Sequence, residues 1–385
     1  MKGLIKKFAV FFFFLIFLAF IPISCSTMEI ENNTQKILDE QYNNLEIDKI
    51  KQNIPQETQR DLESIGIDPN KPQDIKNFNI TKIFEFIFSK SITLIKTPIE
   101  IFINCLIIII LCSLFKSFKS TTCGTSLNGS LGVLTAICSC AIVITPIIGC
   151  ITSISKTIKG FSNFMLCYIP IFAGIIAMSK GVISSIGYNS TIFIIAQVVS
   201  SITADFLLPI TGSFLALSIS ASINESFNIS ALTSAIKKVV IFSLSLLATI
   251  FVGVFTIQST IASNADTVGV KTAKFLSGSF IPIIGSALGD AIASIVGGLN
   301  IIKSAVGGLG ILVCIITLLP PILNVSFFII FTAFATEISK ALEINTMAKA
   351  LGSIKDCLSI LLAFLVCYGI LIISTTTIII TMGAR

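Results

Sequence analysis

The chain has 385 residues, of which 54% are hydrophobic and 12% charged, with a mean hydropathy of +0.96 and a net charge of +6. Soluble domains carry about 25% charged residues, so an ordinary water-soluble fold is excluded. There is no histidine, which removes Ser-His-Asp and Cys-His nucleophile activation, His-containing zinc sites and the usual proton shuttle near neutral pH.

At the N-terminus, Lys2, Lys6 and Lys7 precede the apolar run Phe8–Ile23, and Ser24-Cys25-Ser26 follows as a small-residue cleavage pattern. Residues 1–26 therefore read as a signal peptide. An uncleaved first anchor and a lipoprotein-type site at Cys25 are the alternatives, the latter opposed by Pro22. Residues 26–90 hold 8 basic against 12 acidic side chains, while the rest of the chain is mildly basic. A signal sequence would export this polar segment, 27–90. Its apolar content is thin, so short helices joined at Pro55, Gly66 and Asp68-Pro69 are expected in place of an independent core. Phe78, Ile83, Phe84, Phe86, Ile87 and Phe88, among Lys82, Glu85 and Lys90, predict an amphipathic helix lying on the membrane surface.

A bilayer core of roughly 30 Å takes about 20 mostly apolar helical residues. Runs near that length fall at 99–115, 130–154, 162–179, 190–212 and 239–259 (membrane helices 1–5, within 91–259). Three more follow at 305–320, 322–338 and 358–382 (helices 6–8, within 305–385). The fold class expected is thus all-α, a polytopic membrane bundle preceded by a cleavable-type signal and a short extracytoplasmic helical segment. Eight crossings place nine lysines (116, 119, 180, 271, 274, 303, 340, 349, 355) on the cytoplasmic side. Four (156, 159, 237, 238) fall outside, in keeping with the positive-inside rule. Residues 213–236 look too polar for an ordinary span. Residues 260–304 are glycine-rich and read as amphipathic or re-entrant helices. Pro320-Pro321 marks either a turn between two short segments or a kink in one.

The 11 cysteines lie mostly in apolar runs without a Cys-x-x-Cys, so they read as small buried hydrophobes. With no phosphate-binding loop, the chain has no ATPase of its own, and the absence of a clustered basic face speaks against nucleic acid. Neither catalytic, cofactor nor metal residues are assigned. The most specific stretch follows Pro282: Gly285, Gly289, Ala293 and Gly297 recur every four residues, a groove that admits a second backbone. Asp290 adjoins it, and Lys303 lies too far along one helix to pair with it. These residues, with Pro320 and Pro321, are the candidates for helix packing or pore lining. Asp205, before Pro209, is the other acid inside an apolar run: a helix end or a proton-relay group. Ala287-Leu288-Gly289-Asp290 lacks the first glycine of an intramembrane aspartyl protease motif. Tyr168-Ile-Pro170 and Phe280-Ile-Pro282 are similar phrases, short enough to arise by chance or from an old repeat.

The signal-like start, Tyr168-Ile-Pro-Ile-Phe-Ala-Gly with Gly181-Val-Ile-Ser-Ser, and above all Phe280-Ile-Pro-Ile-Ile-Gly-Ser-Ala-Leu-Gly-Asp-Ala leading through Lys303-Ser-Ala-Val-Gly307 resemble the stage III sporulation protein AE family. The resemblance runs from about Asn79 and is strongest over 271–321. It implies a non-enzymatic multi-pass protein of the mother-cell membrane, facing the forespore, in the channel complex between the two cells. Other membrane proteins of the complex, one of them ring-forming, and a separate cytoplasmic ATPase are the implied partners, and self-association is left open. From the residues alone, a permease acting through Asp205, Asp290 and broken helices is the competing expectation.

Overall fold

In the computed structural model, residues 48–68, 80–119, 126–178, 198–199, 201–223, 234–247, 249–250, 253, 256–257 and 285–381 are described, and over 285–301 the backbone alone. The signal-peptide expectation and Pro282 lie outside these residues. All regular elements among them are helical: α1 (Asp48–Asn53), α2 (Gln56–Ile65), α3 (Ile80–Leu94), α4 (Lys96–Lys119), α5 (Ser126–Met178), a π-helix (Ile202–Leu207), α6 (Leu208–Ile223), α7 (Gly285–Ala341) and α8 (Asn345–Thr381). A further helical stretch covers 234–247. Among the described residues, five helices are long and apolar enough to cross a bilayer: Thr81–Leu114, Cys140–Ile175, Ile202–Ala221, Ile302–Ala341 and Asn345–Ile370. The protein is therefore a multi-pass helical membrane protein.

The eight apolar runs do not map one to one onto these five. Runs 130–154 and 162–179 share α5, because the intervening Ser155-Lys-Thr-Ile-Lys-Gly160 is polar but contains no proline, and packing carries the helix through its single glycine. Runs 305–320 and 322–338 share α7, so Pro320 and Pro321 sit inside one helix and not at a turn. The 53 residues of α5 and 57 of α7 would measure about 80 Å along a straight axis, far beyond a single hydrocarbon core. Residues 213–223, expected to be too polar for a span, are helical in α6. Ser213 and Ser220 donate to the Pro209 and Ala216 carbonyls at 3.2 and 2.9 Å, which hides their polarity within the helix.

The amphipathic helix before the first crossing exists as α3, but it joins α4 without a loop. The Ile95 and Ile99 amides donate to Ser91 and Ile95 carbonyls at 3.0 and 3.1 Å across the junction. α7 and α8 form an antiparallel hairpin, which closes at Leu342–Ile344 through Glu343 at φ 55° and an Ile344 amide bond to the Ser339 carbonyl. This is a Schellman-type stop with an acid where glycine is usual. α5 packs on the pair through Phe161, Phe164, Tyr168 and Phe172, which are all buried. The cysteines follow the sequence expectation closely: none of the nine described cysteines is in a disulfide, and six are buried, with Cys138 the exposed exception.

The exported-type segment departs most from the sequence reading. Gly66 ends α2 in the left-handed conformation at φ 87°, and Pro55 separates α1 from α2, as the breaks predicted. The thin apolar content is not idle, however. Ile50, Ile54, Leu62, Ile65 and Ile67 are buried in the same core as the membrane helices. α1 rests on α5, and α2 on α7.

Candidate functional site

α7 carries one buried polar stripe. Lys303, Gly310, Cys314 and Thr317 are spaced seven, four and three residues apart, which brings them to one side of a 3.6-residue helix. All four are buried. Burying such groups among apolar helices is costly unless they find partners, and neighbouring helices pack closely on this stripe. Tyr168 of α5 donates its hydroxyl to the Val306 carbonyl at 3.3 Å. Its ring lies directly over Gly310, where a Cβ would collide with the hydroxyl and the ring carbons. Close approach of this kind is what small residues permit between membrane helices. Tyr168 belongs to an aromatic ladder on α5: Phe161–Phe164, Phe164–Tyr168 and Tyr168–Phe172 centroids are 5.5, 5.4 and 5.3 Å apart. The edge of the ladder meets Tyr368 of α8 at 6.0 Å, with the rings of Phe161 and Tyr368 nearly perpendicular.

At its upper end the stripe meets α2. Thr58 and Thr317, 259 residues apart in sequence, share a buried hydroxyl–hydroxyl bond of 2.9 Å. Just beyond, Pro320 and Pro321 have no amide N–H, so the Ile316 and Thr317 carbonyls have no i+4 amide to bond. Tyr368, 2% exposed, has no hydrogen-bond partner for its hydroxyl among the described residues. Thr58, Thr317 and the proline break thus make a polar patch in the bundle interior.

A second charged feature lies on the outside. Asp205 sits in the π-helix, where the Leu208 amide bonds the Thr203 carbonyl five residues back. Pro209 explains the widened turn: it has no N–H for the Asp205 carbonyl, and its ring crowds that oxygen. Asp205 is therefore at a mid-helix bulge and not at a helix end, and its carboxylate pairs with Lys159 of α5 at 3.3 Å. Both side chains are about 60% exposed, at 60% and 62%. Lys237 and Asp356 form another inter-helix pair at 2.8 Å. The Cys357 thiol lies 3.9 Å from the Thr211 carbonyl. These contacts put 211, 237, 356 and 357 on one level, whereas the eight-crossing scheme placed Lys237 outside and Lys355 inside.

The candidates from the sequence are thus divided. Lys303 is buried on the stripe, Pro320 and Pro321 are half-buried above it, and Asp205 faces away from it. Gly285, Gly289, Asp290, Ala293 and Gly297 do lie on one helix, the first turns of α7, with the surroundings of their side chains outside the described residues. Among the described residues no set of three His, Cys, Asp or Glu side chains gathers to hold a metal ion. Thr58, Thr317 and Tyr368 were not legible as site residues. The one available signal was that the chain has just 4 tyrosines, two of which interrupt apolar runs.

The model of the family described as stage III sporulation protein AE matches residues 70–383. The Stage III sporulation protein AE of Bacillus subtilis (strain 168) is 25% identical to the chain over 229 residues. That match covers 60% of this chain and 57% of the relative, so it spans little more than half the relative's length. No solved structure matches the chain. The family match takes in the polar stripe, the aromatic ladder and both prolines, and starts just after α2; the chain belongs to the stage III sporulation protein AE family.

Proposed function

We propose that this protein is a non-enzymatic membrane subunit of the mother cell–forespore channel, a secretion-like complex required for endospore formation. The family match over 70–383 carries this reading. It is supported by apolar helices that enclose a polar stripe from Lys303 to Thr317. In this reading the protein sits in the mother-cell membrane facing the forespore. It packs against other membrane proteins of the complex and against copies of itself, and it relies on a separate cytoplasmic ATPase for energy. The four-residue recurrence from Gly285 to Gly297, with Asp290 beside it, supplies the seam for packing or pore lining. Gly289→Leu should insert into the membrane at the parental level yet abolish spore formation. Normal spore counts from that strain would remove the assignment of the seam. The permease reading has less support, because Asp205 is engaged by Lys159 on the outer surface and not held in the interior.

A further inference from the structure

α1 and α2 occupy an unexpected place for a polar segment ahead of the first crossing. Five aliphatic side chains, Ile50, Ile54, Leu62, Ile65 and Ile67, anchor them in the bundle core. Thr58 bonds Thr317, Asp61 pairs with Lys90 at 2.8 Å, and Pro55 stands over Gly160 of α5. On its other side α2 presents Glu57, Arg60 and Glu63 outward. The unit therefore has one face built for the bundle and one built for water.

What it covers is a part of the interior with unused hydrogen-bonding capacity. Under Thr58 lies the Thr317 hydroxyl, and Pro320 and Pro321 free the Ile316 and Thr317 carbonyls beside it; on α8 the buried Tyr368 hydroxyl has no partner among the described residues. From Thr317 the stripe continues through Cys314 and Gly310 toward Lys303. Buried polar groups left unmatched are rare, because each costs about 1–3 kcal/mol. The Tyr368 hydroxyl and the two freed carbonyls are accounted for if they are wetted in a second state.

We propose that α1–α2 is a plug made from the chain's own exported segment, seated over the polar stripe of α7 and lifting to admit water between α5, α7 and α8. Thr58 and Asp61 are its latch. When it lifts, water takes the place of Thr58 on Thr317, reaches Tyr368, and opens a polar route toward Lys303. The proposal rests on the conduit reading above, but its test does not. A plug can fail in the isolated protein while the role in the sporulation complex stands.

The test uses the full chain in lipid vesicles, with Cys314 kept as the sole thiol and a small water-soluble alkylating reagent. Cys314 is fully buried in the seated state and should react slowly. Leu62→Glu, which removes the main apolar anchor, should raise its labelling about tenfold, since reactivity of a buried group follows the population of the open state. A disulfide between Thr58→Cys and Thr317→Cys should return labelling to the parental level or below. Equal labelling with the plug anchored, unseated and cross-linked would overturn the proposal. A companion protein with Cys357 as its only thiol, buried against the Thr211 carbonyl of α6, reports on general unfolding. Should Cys357 also become reactive in Leu62→Glu, the milder Thr58→Val/Asp61→Asn protein decides: raised Cys314 labelling sustains the plug, and parental labelling overturns it.

Discussion

The contact between Tyr168 and Gly310 shows how one missing side chain fixes the distance between two helices. A methyl group at residue 310 has nowhere to go but into the phenol, whose ring is held by stacking on Phe164 and Phe172. Gly310→Ala should therefore destabilise the protein by about 1–3 kcal/mol, the usual cost of overpacking, read as a lower thermal midpoint in detergent. Tyr168→Ala in the same protein should recover part of the loss. Tyr368 calls for the opposite sign. Its hydroxyl is buried without a partner among the described residues, so Tyr368→Phe should leave stability unchanged or raise it by about 1 kcal/mol. A loss of stability would show that the hydroxyl is satisfied.

The π-helix is where a single residue resets a whole element. Pro209 removes the amide that would bond Asp205, the ladder slips to five-residue spacing, and the carboxylate turns toward Lys159. Pro209→Ala should restore ordinary helical spacing and swing Asp205 away from its partner. The coupling between Lys159→Ala and Asp205→Ala in a double-mutant cycle, of the order of 0.2–1 kcal/mol for an exposed pair, should then vanish. A coupling that survives Pro209→Ala would mean the bulge does not aim the side chain. In α7 two consecutive prolines have a milder effect. The helix continues through Pro320 and Pro321 because α5 and α8 pack along both of its sides, and helical stability in proteins comes mostly from such packing and less from propensity.

On the scale of the whole molecule, the ion pair of Lys237 with Asp356 and the approach of Cys357 to Thr211 limit how the chain can be threaded through a bilayer. Residues 237 and 356 must share one side or one depth. Single-cysteine proteins with Lys237→Cys or Asp356→Cys should be labelled from the same side by an impermeant reagent. Labelling from opposite sides would reinstate the eight-crossing scheme. The Lys237–Asp356 pair ties 234–247 to α8 and Lys159–Asp205 ties the π-helix to α5, so both hold together elements that the sequence leaves far apart.

The sequence by itself determined the class of the protein and most of its punctuation. Run length and low charge predict membrane helices, since lipid offers no hydrogen bonds and only long apolar helices satisfy their own backbone. Pro55 and Gly66 break the chain where they were expected to, through a missing amide and a left-handed turn. Local composition, however, cannot tell an interruption from a continuation. Ser155–Gly160 and Pro320-Pro321 look like ends of spans, yet the helices run through them because neighbouring helices hold them in place. Nor does spacing reveal that Thr58 would meet Thr317, that Asp205 would meet Lys159, or that a polar segment ahead of the first span would spend its few aliphatic side chains on the membrane bundle. Those pairings are decided by tertiary packing, because the energy of a buried polar group depends on which partner the fold delivers to it and not on its neighbours in the chain.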